Sequence, residues 1–201
     1  MDPRDHTPEG RAAQGAYAQA LSDQNAAMRN LDKSIRGDVK EAYNQYIGAS
    51  SYDMNKTLAG FDPENGSTKE EMQLLIDNLN TAFNEVGTPA EPGTYYRGLS
   101  AKESTAIANL KEGDEFVCNT FVSTSESLKA IDSFGGSSSY NPVSVEQHII
   151  VKDSFRPNRL LGNEYEYEHI FPSGTRFKVL QATTTKGDKR SSVHQILEVI
   201  G

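Results

Sequence analysis

Residues Glu164-Tyr165-Glu166-Tyr167-Glu168-His169-Ile170-Phe171-Pro172-Ser173-Gly174-Thr175-Arg176-Phe177 set three carboxylates at alternate positions directly ahead of an apolar Ile-Phe pair. A Pro-Ser-Gly turn closes the pair, and a second alternating run continues from Phe177 to Ala182. The pattern predicts a loop entering a strand, then a hairpin. Alternate residues of a strand share a face, so an extended chain through both would project Glu166 and Glu168 together. Two carboxylates on one face repel each other, yet such a pair can divide labour. One meets developing positive charge while the other handles a proton. An acidic, solvent-facing strand end is the plainer alternative.

The segments around this stretch are also β-prone. Thr94 to Leu99 reads as a strand, Glu115 to Ser125 as another, Val143 to Val151 alternates cleanly, and Val193 to Ile200 closes the chain in the same style. In the second of these, Phe116, Cys118 and Thr120 share one face and Val117, Asn119 and Phe121 the other. Ser100 and Glu103 can cap a short helix through Leu110, and Glu126 to Phe134 can form another, stopped by Gly135-Gly136.

The first ninety residues read differently. Residues 1–15 are polar with almost nothing to bury, which predicts a frayed tail. Tyr17, Leu21, Met28, Leu31, Ile35 and Val39 then recur at helical spacing, with Gly37 as a candidate break. A short helix is expected over Tyr52 to Leu58. A longer one follows, with a Ser67/Glu70 capping box, a buried face of Met72, Leu75, Ile76, Leu79, Phe83 and Val86, and a stop at Gly87 and Pro89. Helices come first and strands later, which predicts an α+β fold with antiparallel pairing: residues 16–201 as one domain, mainly helical over 16–92 and mainly β over 93–201.

The 201 residues carry 20 Lys and Arg against 28 Asp and Glu, a net charge of −8. That balance argues against a broad footprint on nucleic acid or on an anionic membrane. The single cysteine, Cys118, excludes an intrachain disulfide framework. No apolar run is long enough to span a bilayer, and Met1 to His6 hold no apolar signal core, so a soluble chain is expected. No GxGxxG or P-loop occurs. His6, His148, His169 and His194 lack a compact ligand spacing, so no metal is expected.

Three polar features remain. Arg97 sits inside the aromatic run Tyr95-Tyr96-Arg97-Gly98, where its guanidinium needs an anion; an Arg emerging at a strand edge is the alternative. Ser123-Thr124-Ser125 ends a strand with three hydroxyls, which can orient a carboxylate, while Ser125 or Ser127 can equally cap a helix. The third feature is the carboxylate run. In this order, with these flanks, the three resemble the Arg, Ser-Thr-Ser, Glu-x-Glu signature of mono-ADP-ribosyltransferases of the bacterial exotoxin type. The resemblance covers most of residues 40–200: Tyr46-Ile47-Gly48 through Tyr52 and Asn55 is similar to the family's N-terminal helical element, and Val193 to Val199 to its closing strand.

The resemblance implies two packed, roughly perpendicular antiparallel sheets with NAD, as substrate, in the cleft between them, preceded by a helical subdomain. Arg97 would hold the NAD phosphates, and Gly98 would let its backbone approach the nicotinamide carboxamide. Ser123 would bond Glu168, with Thr124 and Ser125 supporting the cleft. Phe134 falls where relatives place an aromatic against the nicotinamide ring, with ordinary core packing as the alternative. Glu168 would stabilise the ribosyl cation and Glu166 would orient or deprotonate the nucleophile. A Glu at this first position goes with arginine acceptors in the family, so a target protein carrying an acceptor arginine is implied. Glu164-Tyr165-Glu166 also matches Glu-x-Glu, but only Glu168 directly precedes the apolar strand, which selects Glu166 and Glu168. Two departures stand out. Asn163 occupies a position where many relatives carry a substrate-recognising aromatic, for which Tyr165 can substitute, and Gly135 to Ser139 lacks a second arginine. The expected setting is a toxin or effector, secreted or injected by a route that reads no apolar signal peptide and acting in the target cytoplasm. An immunity protein is a conceivable partner without direct sign in the sequence. An NAD glycohydrolase, or an inactive interaction module of the same fold, are the competing expectations.

Overall fold

The computed structural model describes residues 5–99, 107–131, 143–186 and 191–201. Its first helix, α1 (Pro8–Asn30), begins well inside the segment expected to fray. Thr7 caps it by accepting from the Gly10 N–H at 3.1 Å, and Pro8 presets the first turn. From Pro8 on, the segment expected to fray is helical without much apolar content because Ala12, Ala13, Ala16, Ala18 and Ala20 are strong helix formers and Tyr17 provides a buried anchor. The chain breaks at Leu31, not at Gly37. Asp32 caps α2 (Lys33–Gln45) by accepting from the Ser34 N–H at 2.8 Å, and Gly37 lies inside that helix.

A π-helical turn over Tyr46–Ser50 leads into α3 (Ser51–Leu58), and α4 (Lys69–Glu85) follows. The capping box of α4 is one residue later than the sequence suggests. Thr68 Oγ1 accepts from Glu71 N at 3.1 Å, and Glu71 Oε2 accepts from Thr68 N at 2.8 Å. Among the described residues no helix is long and apolar enough to cross a membrane.

The strands are β1 (Thr88–Pro89), β2 (Gly93–Leu99), β3 (Glu115–Cys118), β4 (Val122–Ser125), β5 (Val143–Val151), β6 (Asn158–Leu161), β7 (Glu168–Phe171), β8 (Thr175–Lys186) and β9 (Ser191–Val199). They are hydrogen-bonded in the order β1-β6-β7-β4-β2-β5-β9-β8-β3. All of these pairs are antiparallel except β5 and β9, which run parallel from Val143 opposite Ser191 to Ile150 opposite Glu198. The expected pairing is therefore mixed at one place. The capped helix expected over Ser100 to Leu110 lies largely outside the described residues. Of the helix expected after Glu126, one turn over Leu128–Ile131 is seen; Phe134 and Gly135 to Ser139 lie outside.

One buried cluster contains Tyr95, Cys118, Val122, Ile149, Phe171, Phe177, Val179 and Leu197. These residues come from seven strands, so the ladder must curl over and pack one half on the other. Two segments read as continuous in sequence are the corners of this curl. Glu115 to Ser125 is not one strand: β3 pairs with β8, β4 pairs with β7, and Asn119 to Phe121 cross between. Likewise Pro172-Ser173-Gly174 does not close a hairpin, because β7 and β8 have different partners. Gly174, at φ 86°, donates to the Cys118 carbonyl at 2.7 Å and ties the two corners together.

The helices cover the outer face. Phe121, Leu160 and Ile170 join Tyr43, Tyr46, Met54, Ile76, Leu79 and Phe83 in a second cluster, with the Phe83 and Phe121 rings stacked at 5.7 Å. Phe121 is the hinge of this packing and is fully buried. Phe121→Ala should destabilise the fold by about 3–5 kcal/mol in denaturant unfolding, the cost of a large aromatic cavity. A loss below about 1 kcal/mol would mean that helices and sheet do not fold as one unit.

Candidate active site

The carboxylate run is not one extended strand. Asn163 opens a 3₁₀ turn over Glu164–Glu166, its Oδ1 accepting from the Tyr165 N–H at 3.0 Å, and β7 starts only at Glu168. Between them Tyr167 lies at φ 47°, left-handed backbone that non-glycine residues adopt rarely. Glu166 and Glu168 are thus neighbours by a turn, not by strand alternation. Tyr167 tolerates the conformation because its ring is buried against Tyr17 and Leu161.

Glu168 is fixed at both carboxylate oxygens. Ser123 Oγ donates to Oε1 at 2.7 Å and the Asn163 N–H donates to Oε2 at 3.0 Å. Behind Ser123, the Tyr46 hydroxyl lies 3.3 Å from Ser123 Oγ; since Ser123 gives its proton to the carboxylate, Tyr46 is the donor. Burial pushes the Tyr46 hydroxyl up to about 12, so it stays a donor at neutral pH. The negative charge of Glu168 acts in the same direction, and the hydrogen bond with Ser123 and the Arg97 charge oppose it.

The other two hydroxyls hold the backbone of the same loop. Thr124 Oγ1 donates to the His169 carbonyl at 2.8 Å, and Ser125 Oγ donates to the Glu166 carbonyl while accepting from the Ser127 N–H at 2.8 Å. Ser125 therefore does both things the sequence left open, supporting the carboxylate loop and capping the turn that follows. Arg97 is 8% exposed on β2, in register with Gln147, and Gly98 lies opposite Glu146. Because β2 meets β4 at Tyr96 opposite Ser125, the arginine strand and the hydroxyl strand are adjacent.

Glu166 is half-buried, and its carboxyl is held above the ordinary range, first by burial and then by the charge of Glu168. Tyr165 beside it is 76% exposed. His169 is buried against Tyr17 and Tyr95, with Nε2 3.0 Å from Glu126 Oε1. Burial lowers its pKa, so it sits neutral behind the site.

Several positioning groups carry no signature in sequence. Tyr17 donates to the Glu168 carbonyl, and Tyr43 donates to the Leu161 carbonyl at 2.7 Å. Gln24 pairs with Leu161 in both directions, accepting from its N–H at 2.7 Å and donating to its carbonyl at 3.0 Å. Asn55, already part of the resemblance, accepts from the Phe121 N–H at 2.9 Å. Gly162 is the most telling. A Cβ there would lie 2.0 Å from Glu168 Oε2, so the carboxylate occupies the space a side chain would take. A glycine four residues ahead of Glu166 is the only sign of this in the sequence.

The model of the ADP-ribosyltransferase exoenzyme family matches residues 20–198. No curated protein sequence matches the chain. Among solved structures, the Vis toxin of Vibrio splendidus, an ADP-ribosyltransferase, aligns with a TM-score of 0.68 at 17% identity, over 99% of this chain and 89% of Vis. Vis in complex with agmatine aligns at 0.65 and 18%, over 98% and 87%. Plx2a of Paenibacillus larvae aligns at 0.60 and 16% over the whole of both chains. Exoenzyme S of Pseudomonas aeruginosa, bound to human 14-3-3 protein beta and carba-NAD, aligns at 0.56 and 17%, over 92% and 88%. At these identities the likeness is one of fold.

Gly162→Ala should displace the Glu168 carboxylate and lower NAD cleavage by about 100-fold, the scale of a misplacement near 1 Å. Circular dichroism at the assay temperature should still show folded protein. Cleavage within a few-fold of wild type would refute the clamp.

Proposed function

The chain belongs to the ADP-ribosyltransferase exoenzyme family, whose substrate is NAD, and on that footing we propose that it transfers ADP-ribose to an arginine of a target protein. The observation that carries this reading is the Glu166/Glu168 pair: one carboxylate clamped at both oxygens, the other a turn away with its pKa raised.

Departure of nicotinamide breaks the C1′–N bond of NAD and leaves positive charge on the ribose. Glu168 meets that charge, its remaining lone pairs turned to the ribose hydroxyls while Ser123 and the Asn163 N–H keep it from rotating. A guanidinium nitrogen of the acceptor then bonds to C1′ and gives up a proton. Glu166 receives it, and a carboxyl raised above its ordinary range suits that task better than an ordinary one. Tyr165 offers an exposed ring on which a guanidinium can stack. Arg97 takes the NAD phosphates and Gly98 the carboxamide. The complex of Vis with agmatine, itself a guanidinium compound, supports the arginine reading. The biological setting we infer is a toxin or effector acting inside a target cell.

The first test is mass spectrometry of target-cell lysate incubated with the chain and NAD. ADP-ribose on arginine with wild type and none with Glu168→Ala is the expected result; adducts on another residue type, or none, would overturn the acceptor assignment. Glu166→Gln should abolish transfer while nicotinamide release, measured separately, continues with water as acceptor. Equal loss of both would remove the division of labour.

The pH profile gives an independent check. The Glu166 carboxyl is raised by burial and by the Glu168 charge, so the acidic limb of transfer should lie above the ordinary glutamate value of about 4.3. A limb at or below that value, or one that stays in place in Glu166→Gln, would contradict the assignment.

A further inference from the structure

We propose that Glu146, His148 and His194 form a binding site for a divalent transition metal ion of the zinc type. The spacing of the histidines in sequence gives no hint of it; the parallel pairing of β5 and β9 creates it. Glu146 is directly opposite His194 in that ladder, and His148, two residues on, shares the Glu146 face. One donor atom from each residue lies within 4.8 Å of one from each of the others. Glu146 Oε1 is 2.7 Å from His148 Nε2 and 3.8 Å from His194 Nε2, and the two imidazole centroids are 4.4 Å apart.

A surface ion pair between Glu146 and His148 would account for one histidine. It does not account for the second imidazole converging on the same oxygen from another strand. Donors around a tetrahedral zinc stand about 3.3 Å apart for bonds near 2.0 Å. The observed separations bracket that value, and the three partly exposed side chains can close the difference by rotation while the paired backbones stay fixed. Two imidazoles and one carboxylate suit zinc, cobalt or nickel, not magnesium or calcium, which favour all-oxygen sets. Tyr96, edge-on to His148 at 4.9 Å, limits the rotation of that ring. Three protein donors leave the fourth position open to water.

The site lies beside β2, since Gly98 is opposite Glu146 and Tyr96 opposite His148. None of its three residues belongs to the carboxylate clamp. The test is titration of the full chain with Co²⁺, followed by its visible d–d absorption, then competition by Zn²⁺. One equivalent should bind in a low-symmetry site, and Zn²⁺ should raise the thermal unfolding midpoint. His194→Ala and Glu146→Gln should each weaken binding about tenfold or more and remove the thermal shift. Glu146→Gln keeps an acceptor for His148, so it provides a folded comparison if the alanine variant is unstable. Absence of saturable binding at micromolar metal, or equal affinity in wild type and Glu146→Gln, would overturn the proposal.

Discussion

The Glu168 carboxylate is held partly out of water and in one rotamer, and each of these conditions carries a cost. A glutamate side chain resists ordering by about 1.5–2 kcal/mol, and an ionised carboxylate resists burial unless hydrogen bonds replace its water. Donors on opposite sides resolve the conflict, Ser123 on one oxygen and the Asn163 N–H on the other. The arrangement needs Gly162, because the carboxylate lies where any side chain at that position would stand. Much of the fold follows from bringing β4 and the Gly162–Asn163 segment to either side of one residue. The β4/β7 ladder does the first and the loop closing from β6 to β7 does the second.

The helical half is bound into this arrangement through side chains that imitate a neighbouring strand. Gln24 meets both backbone groups of Leu161, and Asn55 does the same for Phe121, accepting from its N–H and donating to its carbonyl at 3.4 Å. Amide side chains suit this role because they carry a donor and an acceptor side by side, as a peptide does. Tyr17 and Tyr43 add donors to the Glu168 and Leu161 carbonyls, and Tyr46 stands behind Ser123. Sheet backbone that would otherwise present unpaired groups at a buried face is thereby satisfied. The helices are as much part of the site's geometry as the strands that carry its charges.

What the sequence shows of this is uneven for physical reasons. Periodicity and capping chemistry are local, so α4 and the order of helices before strands are legible, with the cap off by one residue because Ser67 and Thr68 offer equivalent hydroxyls. Strand partners are not local. Cys118 to Val122 and Phe171 to Thr175 read as continuation and hairpin, yet both cross between layers, since nothing in an alternating pattern says which neighbour it will find. The pairing of Ser123 with Glu168 was legible through the ordered motif. The backbone donors around it were not, because an N–H has no residue identity. Left-handed Tyr167 is a further case: residue type argues against the conformation, and burial of its ring decides it.

The charges at the site complete the argument. Burial raises the Glu166 carboxyl above its ordinary range, and the charge of Glu168 adds to it, so the two carboxylates oppose each other. His169, directly behind, is held neutral by its own burial and supplies no compensating cation. In the proposed reaction positive charge develops on the ribose, next to Glu168. The repulsion is thus largest in the free protein and is relieved as the reaction proceeds. That is the condition for catalysis: an interaction stronger in the transition state than in the ground state lowers the barrier, whereas one equally strong in both would only tighten binding.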